Sequence, residues 1–482
     1  MYMVITNAWI PGSDHDTLVY DPEIGVVKTL SGDYSSYMPA VTVDADQRLV
    51  APGLADTHMH MLSTAIEEYR LDLRGAESVE DILRLVREEA ARRGPGAWIV
   101  GRGWDQERLA EGRPPSLDEL DEAAPRNPVL LVRVCGHAAA VNTAALEAAG
   151  ILGKPEYNGL IEEEDGRPTG LVYEDAVYRI EGAVPPPSLE EAADAVRRLL
   201  GNYLRLGVVE VHSMSAPLLE LDAYSASGSS TAYRAYVDPG SLEEAHRLYP
   251  NLVAGVKLYA DGSFGARTAA LREPYSDSGG RGKLLLSAGD ILRLSSPAVK
   301  RGLMVAVHAI GDRAVEEALK AASRLGDSMR IEHASLTPPD ILERIADMKP
   351  WITVQPHFVL SDTWIVERLG DRARWVYAYR SLLGSGALVS GSSDSPVEPY
   401  NPWLGIYAAV DRGEAEGLAI HRVSPGERLS FHEALGLYTA SIPGRRPSMV
   451  IFNIRSEPRS VDDYMAVKAD TVVLGGDVIP LH

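Results

Sequence analysis

A single cysteine, Cys135, stands in 482 residues. An internal disulfide is therefore excluded, a thiolate-rich metal site is excluded with it, and the chain suits a reducing compartment. Long apolar runs are missing too: none reaches the length of a membrane span, and Met1 to Gly12 lacks the basic flank and apolar core of a signal peptide. A cytoplasmic location is expected. Positive charge is also short. Lys and Arg number 47 against 68 Asp and Glu, a formal net charge of -21, which argues against nucleic acid or an anionic membrane as partner. No repeat of fixed period and no low-complexity tract is found. The expected partner is a small-molecule substrate, with a homo-oligomer left open.

What is present is the composition of a soluble globular protein, 45% hydrophobic and 24% charged, able to bury a substantial core. The length fits one large barrel with a smaller attached domain. Short β-like runs without helical period fill both ends: Met3 to Ile10, Leu18 to Leu30 and Val41 to Asp44, then Met449 to Ile454, Ala466 to Val473 and Asp477 to Ile479. Residues 1–52 and 446–482 are expected to pair as a small β-sandwich. Between them apolar runs alternate with amphipathic helical patterns such as Leu189 to Leu206, the signature of βαβ units.

Counting those runs sets the fold class, an α/β chain with a (β/α)8 TIM-type barrel over 53–445. The strands are read at Leu49 to His60, Val208 to Ser213, Ala232 to Val237, Gly255 to Ala260, Leu303 to His308, Met329 to His333, Ile352 to His357 and Ala387 to Ser392. Residues from about 64 to 187 do not fit the count, holding helices, a Pro-rich patch and a strand ending at Cys135. They are expected to be an insertion after strand one that caps the substrate.

His58 and His60 lie two apart on a strand, so their side chains share a face and can share an ion. Alone the pair is weak evidence, because histidines at this spacing also occur as surface or core residues. Lys257 in strand four, His308 ending strand five, His333 ending strand six and Asp394 after strand eight change its weight. All would meet at the carboxyl face, where barrel enzymes place their chemistry. Imidazoles with one carboxylate suit a divalent metal, Zn first and Mn, Fe or Co next.

This set, in this order, resembles the amidohydrolase superfamily and its YtcJ-like branch of amidohydrolase 3 proteins. The likeness runs through Val256-Lys257-Leu258-Tyr259-Ala260-Asp261-Gly262, His308 to Ala314, Arg330-Ile331-Glu332-His333 and Gly391 to Val397. Gly103-Trp104-Asp105 and Gly136-His137-Ala138-Ala139 in the insertion share it. The resemblance implies two ions: one on His58, His60 and Asp394, a second on His308 and His333, bridged by Lys257 carboxylated on its amine. The alternative is that Lys257 snorkels or pairs with Asp261 beside a single metal.

The expected activity is hydrolysis of a carbon-nitrogen bond in an amide, N-formyl or cyclic amide compound, by attack of a metal-activated hydroxide with Asp394 moving the proton. Ester, lactone or phosphotriester cleavage, deamination of a heterocycle and a non-enzymatic scaffold stand as alternatives. Substrate contacts are expected at His357, His212, His137, Asp261, Arg267 and Trp104. Ala140 and Cys135 depart from residues the branch commonly carries there, which bears on the pocket's shape.

Overall fold

The computed structural model describes residues 2–135 and 137–481, so Gly136 of the motif named above lies outside the described residues. The chain divides into two compact units, Met1–Thr64 with Val196–His482, and Ala65–Ala195. No helix among the described residues is long and apolar enough to cross a membrane.

In the first unit eight parallel strands follow one another in chain order around a single sheet: β1 (Leu54–Met59), β2 (Val208–Met214), β3 (Ala232–Val237), β4 (Val253–Tyr259), β5 (Met304–Ala309), β6 (Met329–His333), β7 (Trp351–Val354) and β8 (Leu388–Gly391). Helices such as Asp312–Leu325 and Pro339–Met348 separate them. Hydrogen bonds join the first and last strands: Thr57 Oγ1 donates to the Gly391 carbonyl at 2.9 Å, Asp394 N to the His58 carbonyl at 2.7 Å and His60 N to the Ser395 carbonyl at 2.8 Å. The fold is a (β/α)8 barrel of the TIM type. Every residue of β2 is buried, as expected of a parallel strand covered on both faces.

Residues expected as one first strand, Leu49 to His60, split at Gly53. Val50–Pro52 pairs with Ser448–Phe452 in a four-stranded sheet, whereas β1 pairs with β2. A Cβ at Gly53 would lie 2.5 Å from the Val209 side chain, so the crossing requires glycine. A second four-stranded sheet holds Met3–Thr6, Thr17–Asp21, Gly25–Leu30 and Val41–Asp44. Ile5, Tyr20, Val50, Met449 and Val473 pack in one buried core drawn from both chain ends. Strand seven also differs from expectation, ending at Val354. Pro356 lacks the N–H a ladder needs, and His357 instead precedes the short helix Phe358–Ser361.

The second unit, Ala65–Ala195, is built on a six-stranded mixed sheet containing Ile99–Trp104, Val129–Arg133, Ala138–Val141 and Arg167–Tyr173. Separate apolar clusters form around Ile82, Trp104 and Leu120, and around Leu130, Leu146 and Ile180.

Candidate metal centre

Strand alternation brings His58 and His60 to one face of β1 and its exit, and the turn after β8 carries Asp394 to meet them. Asp394 Oδ1 lies 3.3 Å from His58 Nε2 and 3.4 Å from His60 Nε2. Asp394 holds a φ of 60°, a left-handed backbone uncommon outside glycine though tolerated by Asp and Asn. Lys257 Nζ, buried on β4, is 3.2 Å from His58 Nε2. The His308 and His333 rings are 4.5 Å apart, and His333 is 4.9 Å from His58. Donor atoms of His58, His333 and Asp394 all lie within 4.8 Å of one another.

Glu332 and His333 are neighbours on β6, and plain alternation would send them to opposite faces. A φ of 71° at His333, followed by 45° at Ala334, turns the imidazole back toward the cluster.

Each imidazole is oriented by an acceptor. His58 Nδ1 lies 2.6 Å from Glu332 Oε2, His60 Nδ1 donates to the Met214 carbonyl at 3.0 Å, and His333 Nδ1 donates to Gln355 Oε1 at 2.7 Å. These partners place the proton on Nδ1 and leave Nε2 as the lone-pair nitrogen, the form that binds a metal. His308 is held through Nε2, which donates to the Gly262 carbonyl at 2.9 Å, leaving Nδ1 as its acceptor. The donor set therefore fits a divalent cation.

Burial dominates the electrostatics. It pulls Lys257 down to about 8 against the opposing charges of Glu332 and Asp394. It also drives His308 down to about 3, with Lys257 adding to the effect, and holds His333 well below the ordinary imidazole range. Burial would raise Glu332 and Asp394. Arg330, with Lys257 adding, outweighs it at the first, and both carboxyls lie well below the usual range.

Behind His58 a buried chain of polar groups crosses the barrel interior. Arg330 Nε donates to Glu332 Oε1 at 2.5 Å and Arg330 Nη1 to His212 Nδ1 at 2.9 Å, while His212 Nε2 donates to Glu210 Oε1 at 2.9 Å. In the sequence Arg330 and Glu332 stand out only as part of the motif ending at His333. Their spacing of two on β6, facing inward with His58, was the available signal.

In front of the cluster lies a cavity of about 420 Å³, lined by the histidines, Lys257 and Asp394 and by Phe264, Phe358, Tyr377, Asp362 and Glu398 among others. His212, Asp261, Arg267 and His357, four of the residues expected to touch substrate, are not among those that line it. His212 is buried between Glu210 and Arg330 and does not close β2, which runs on to Met214. Asp261 is buried and accepts backbone N–H groups of Ala270, Ile310 and Gly311 at 2.8, 3.0 and 2.8 Å. It thereby fixes the loop after β5, where a Cβ at Gly311 would lie 2.1 Å from the Ala270 carbonyl oxygen. Arg267 is exposed and paired with Asp277 at 2.7 Å. His357 bonds Glu398, which does line the cavity. Trp104 is packed inside the inserted unit with its indole N–H on the Leu131 carbonyl at 2.7 Å. His137, exposed in the same unit, pairs with Glu174 at 3.1 Å.

Residues 41–441 match the profile described as the Amidohydrolase family. The protein YtcJ of Bacillus subtilis strain 168 is 33% identical, over 88% of this chain and 84% of the relative. The N-substituted formamide deformylase of Arthrobacter pascens is 25% identical over the same shares. Among solved structures, a metal-dependent hydrolase from Pyrococcus furiosus is similar with a TM-score of 0.73 and 33% identity, covering 91% of this chain and 93% of that one.

Proposed function

This chain belongs to the amidohydrolase family of metal-dependent hydrolases, and from that premise we propose that it cleaves a carbon-nitrogen bond of a small amide, N-formyl or cyclic amide compound. The observation that carries the reading is the Asp394 carboxylate, set against the lone-pair nitrogens of His58 and His60 at the edge of a cavity with room for an organic substrate. The likeness to a formamide deformylase supports the choice of bond.

His58, His60 and Asp394 would hold one divalent ion, His308 and His333 a second, with zinc first choice for this donor set. Such ions acidify a bound water and polarise a carbonyl oxygen. Lys257 would bridge the two as a carbamate, formed when its neutral amine adds carbon dioxide and releases one proton. Burial supports that step: an amine with a pKa of about 8 is neutral in roughly one molecule in ten at pH 7, against about one in three thousand for an ordinary lysine.

Asp394 takes up the proton of the attacking water on a carboxylate oxygen and returns it to the leaving nitrogen, the two-step duty of a general base and acid. Glu332 keeps His58 turned toward the site throughout.

The test is a screen of N-acyl, N-formyl and lactone compounds on metal-reconstituted protein, with Asp394→Asn as the blank. Turnover of amides or formamides lost in the blank is expected. Turnover confined to lactones would overturn the assigned bond.

A further inference from the structure

The cavity is chemically lopsided. Away from the histidines its walls are apolar and aromatic, including Phe264, Ile310, Phe358 and Tyr377. Two carboxylates share those walls. Glu398 is fully met, with Ser361 Oγ donating to Oε1 at 2.5 Å and His357 Nδ1 bonded to Oε2. Asp362 is only half met. The Tyr377 hydroxyl donates to its Oδ2, and among the described residues nothing bonds its Oδ1.

Among the described residues no cation bonds it directly. Lys257, the cation in the lining, stands at the histidine cluster. Arg368 acts on Asp362 only through space, because its guanidinium lies 3.6 Å from the centre of the Trp364 ring and donates to the Phe264 and Gly265 carbonyls. Burial, with Glu398 adding, pushes the Asp362 carboxyl up to about 6. It is therefore charged at neutral pH, half-buried in the cavity wall with no donor of the described residues on Oδ1. A cationic donor brought by a ligand could pair with that free oxygen, and neighbouring aromatic faces also attract cations.

We propose that Asp362 determines specificity: the site takes N-acyl or N-formyl amines whose nitrogen side carries an apolar or aromatic segment ending in an ammonium group. The bond cleaved rests on the function proposed above; the cation subsite does not.

Two probes without a scissile bond test the subsite by calorimetry on metal-reconstituted protein, benzylammonium and 4-toluenesulfonate. The cation should bind at least about tenfold tighter, and Asp362→Asn should bring the ratio toward one. Asp362→Ser serves as a second variant should Asn disturb Tyr377. Equal binding, tighter sulfonate binding, or a preference surviving in a folded variant would overturn the proposal. Formamides of 4-(aminomethyl)benzylamine and 4-carboxybenzylamine form the kinetic arm, the first expected to have the higher kcat/KM. A cation preference in binding without cleavage of either would remove the carbon-nitrogen reading and leave the subsite standing.

Discussion

Glu332 Oε2 lies 2.6 Å from His58 Nδ1 with both side chains buried, so an imidazole on the first barrel strand is oriented by a charge on the sixth. Arg330 holds that carboxylate through two nitrogens, at 2.5 and 3.0 Å. Partners of this kind fix the tautomer and raise the basicity of a metal-binding histidine. We expect Glu332→Gln to weaken divalent-metal affinity by about 10–100-fold, measured by competition with a chelator. Unchanged affinity in a folded variant would reduce the pair to barrel packing.

Much of this site was legible because parallel strands read as short apolar runs and barrel chemistry sits at their ends. That logic located His58, His60, Lys257, His308 and Asp394. His333 was found for a reason that alternation does not supply, since only its left-handed backbone aims it inward. The Arg330, His212 and Glu210 chain was hidden because it joins inward faces of strands far apart in sequence. Asp362 and Glu398 were hidden for the opposite reason. They sit in loops without period, where nothing in the residue types says which carboxylate will border a cavity. The burial of Trp104 was not legible in the motif around it, because it is set by the six-stranded sheet of the inserted unit.

Lys257 separates a two-ion site from a one-ion site. Purified, reconstituted protein should carry about two equivalents of divalent metal, and Lys257→Ala about one, counted by elemental analysis. A single equivalent in both proteins would refute the bridging carbamate and leave Lys257 as a buried amine beside His58.

Trp104 offers a stability test. It is buried in the apolar cluster of the inserted unit and its indole N–H is bonded, so Trp104→Ala should lower stability by about 3–5 kcal/mol through cavity formation and an unmet carbonyl. Denaturant unfolding of the two proteins measures this. A loss below about 1 kcal/mol would place the side chain outside the load of that core.

Asp362 gives the protein a pH dependence of definite sign. Its carboxyl is pushed up to about 6 by burial, above the value near 3.8 of an unfolded chain. The folded state thus holds the proton more tightly, and this contribution is complete below about pH 4 and lost as pH rises through about 6. Its size is on the order of 1 kcal/mol after solvent screening. Urea midpoints between pH 4 and 7 should fall more steeply for the wild type than for Asp362→Asn. Parallel slopes would contradict the raised value.

Asp394 is where metal binding and proton transfer separate. Asparagine keeps an oxygen of the same reach and can still sit between His58 and His60, but it accepts no proton at neutral pH. If Asp394 carries the proton from water to the leaving nitrogen, Asp394→Asn should cut kcat by about 100–10,000-fold while elemental analysis still finds metal. A rise in KM with kcat unchanged would point to a group that only positions substrate. Loss of metal together with activity would make Asp394 chiefly a ligand, and the proton would then have to pass through another group of the cluster.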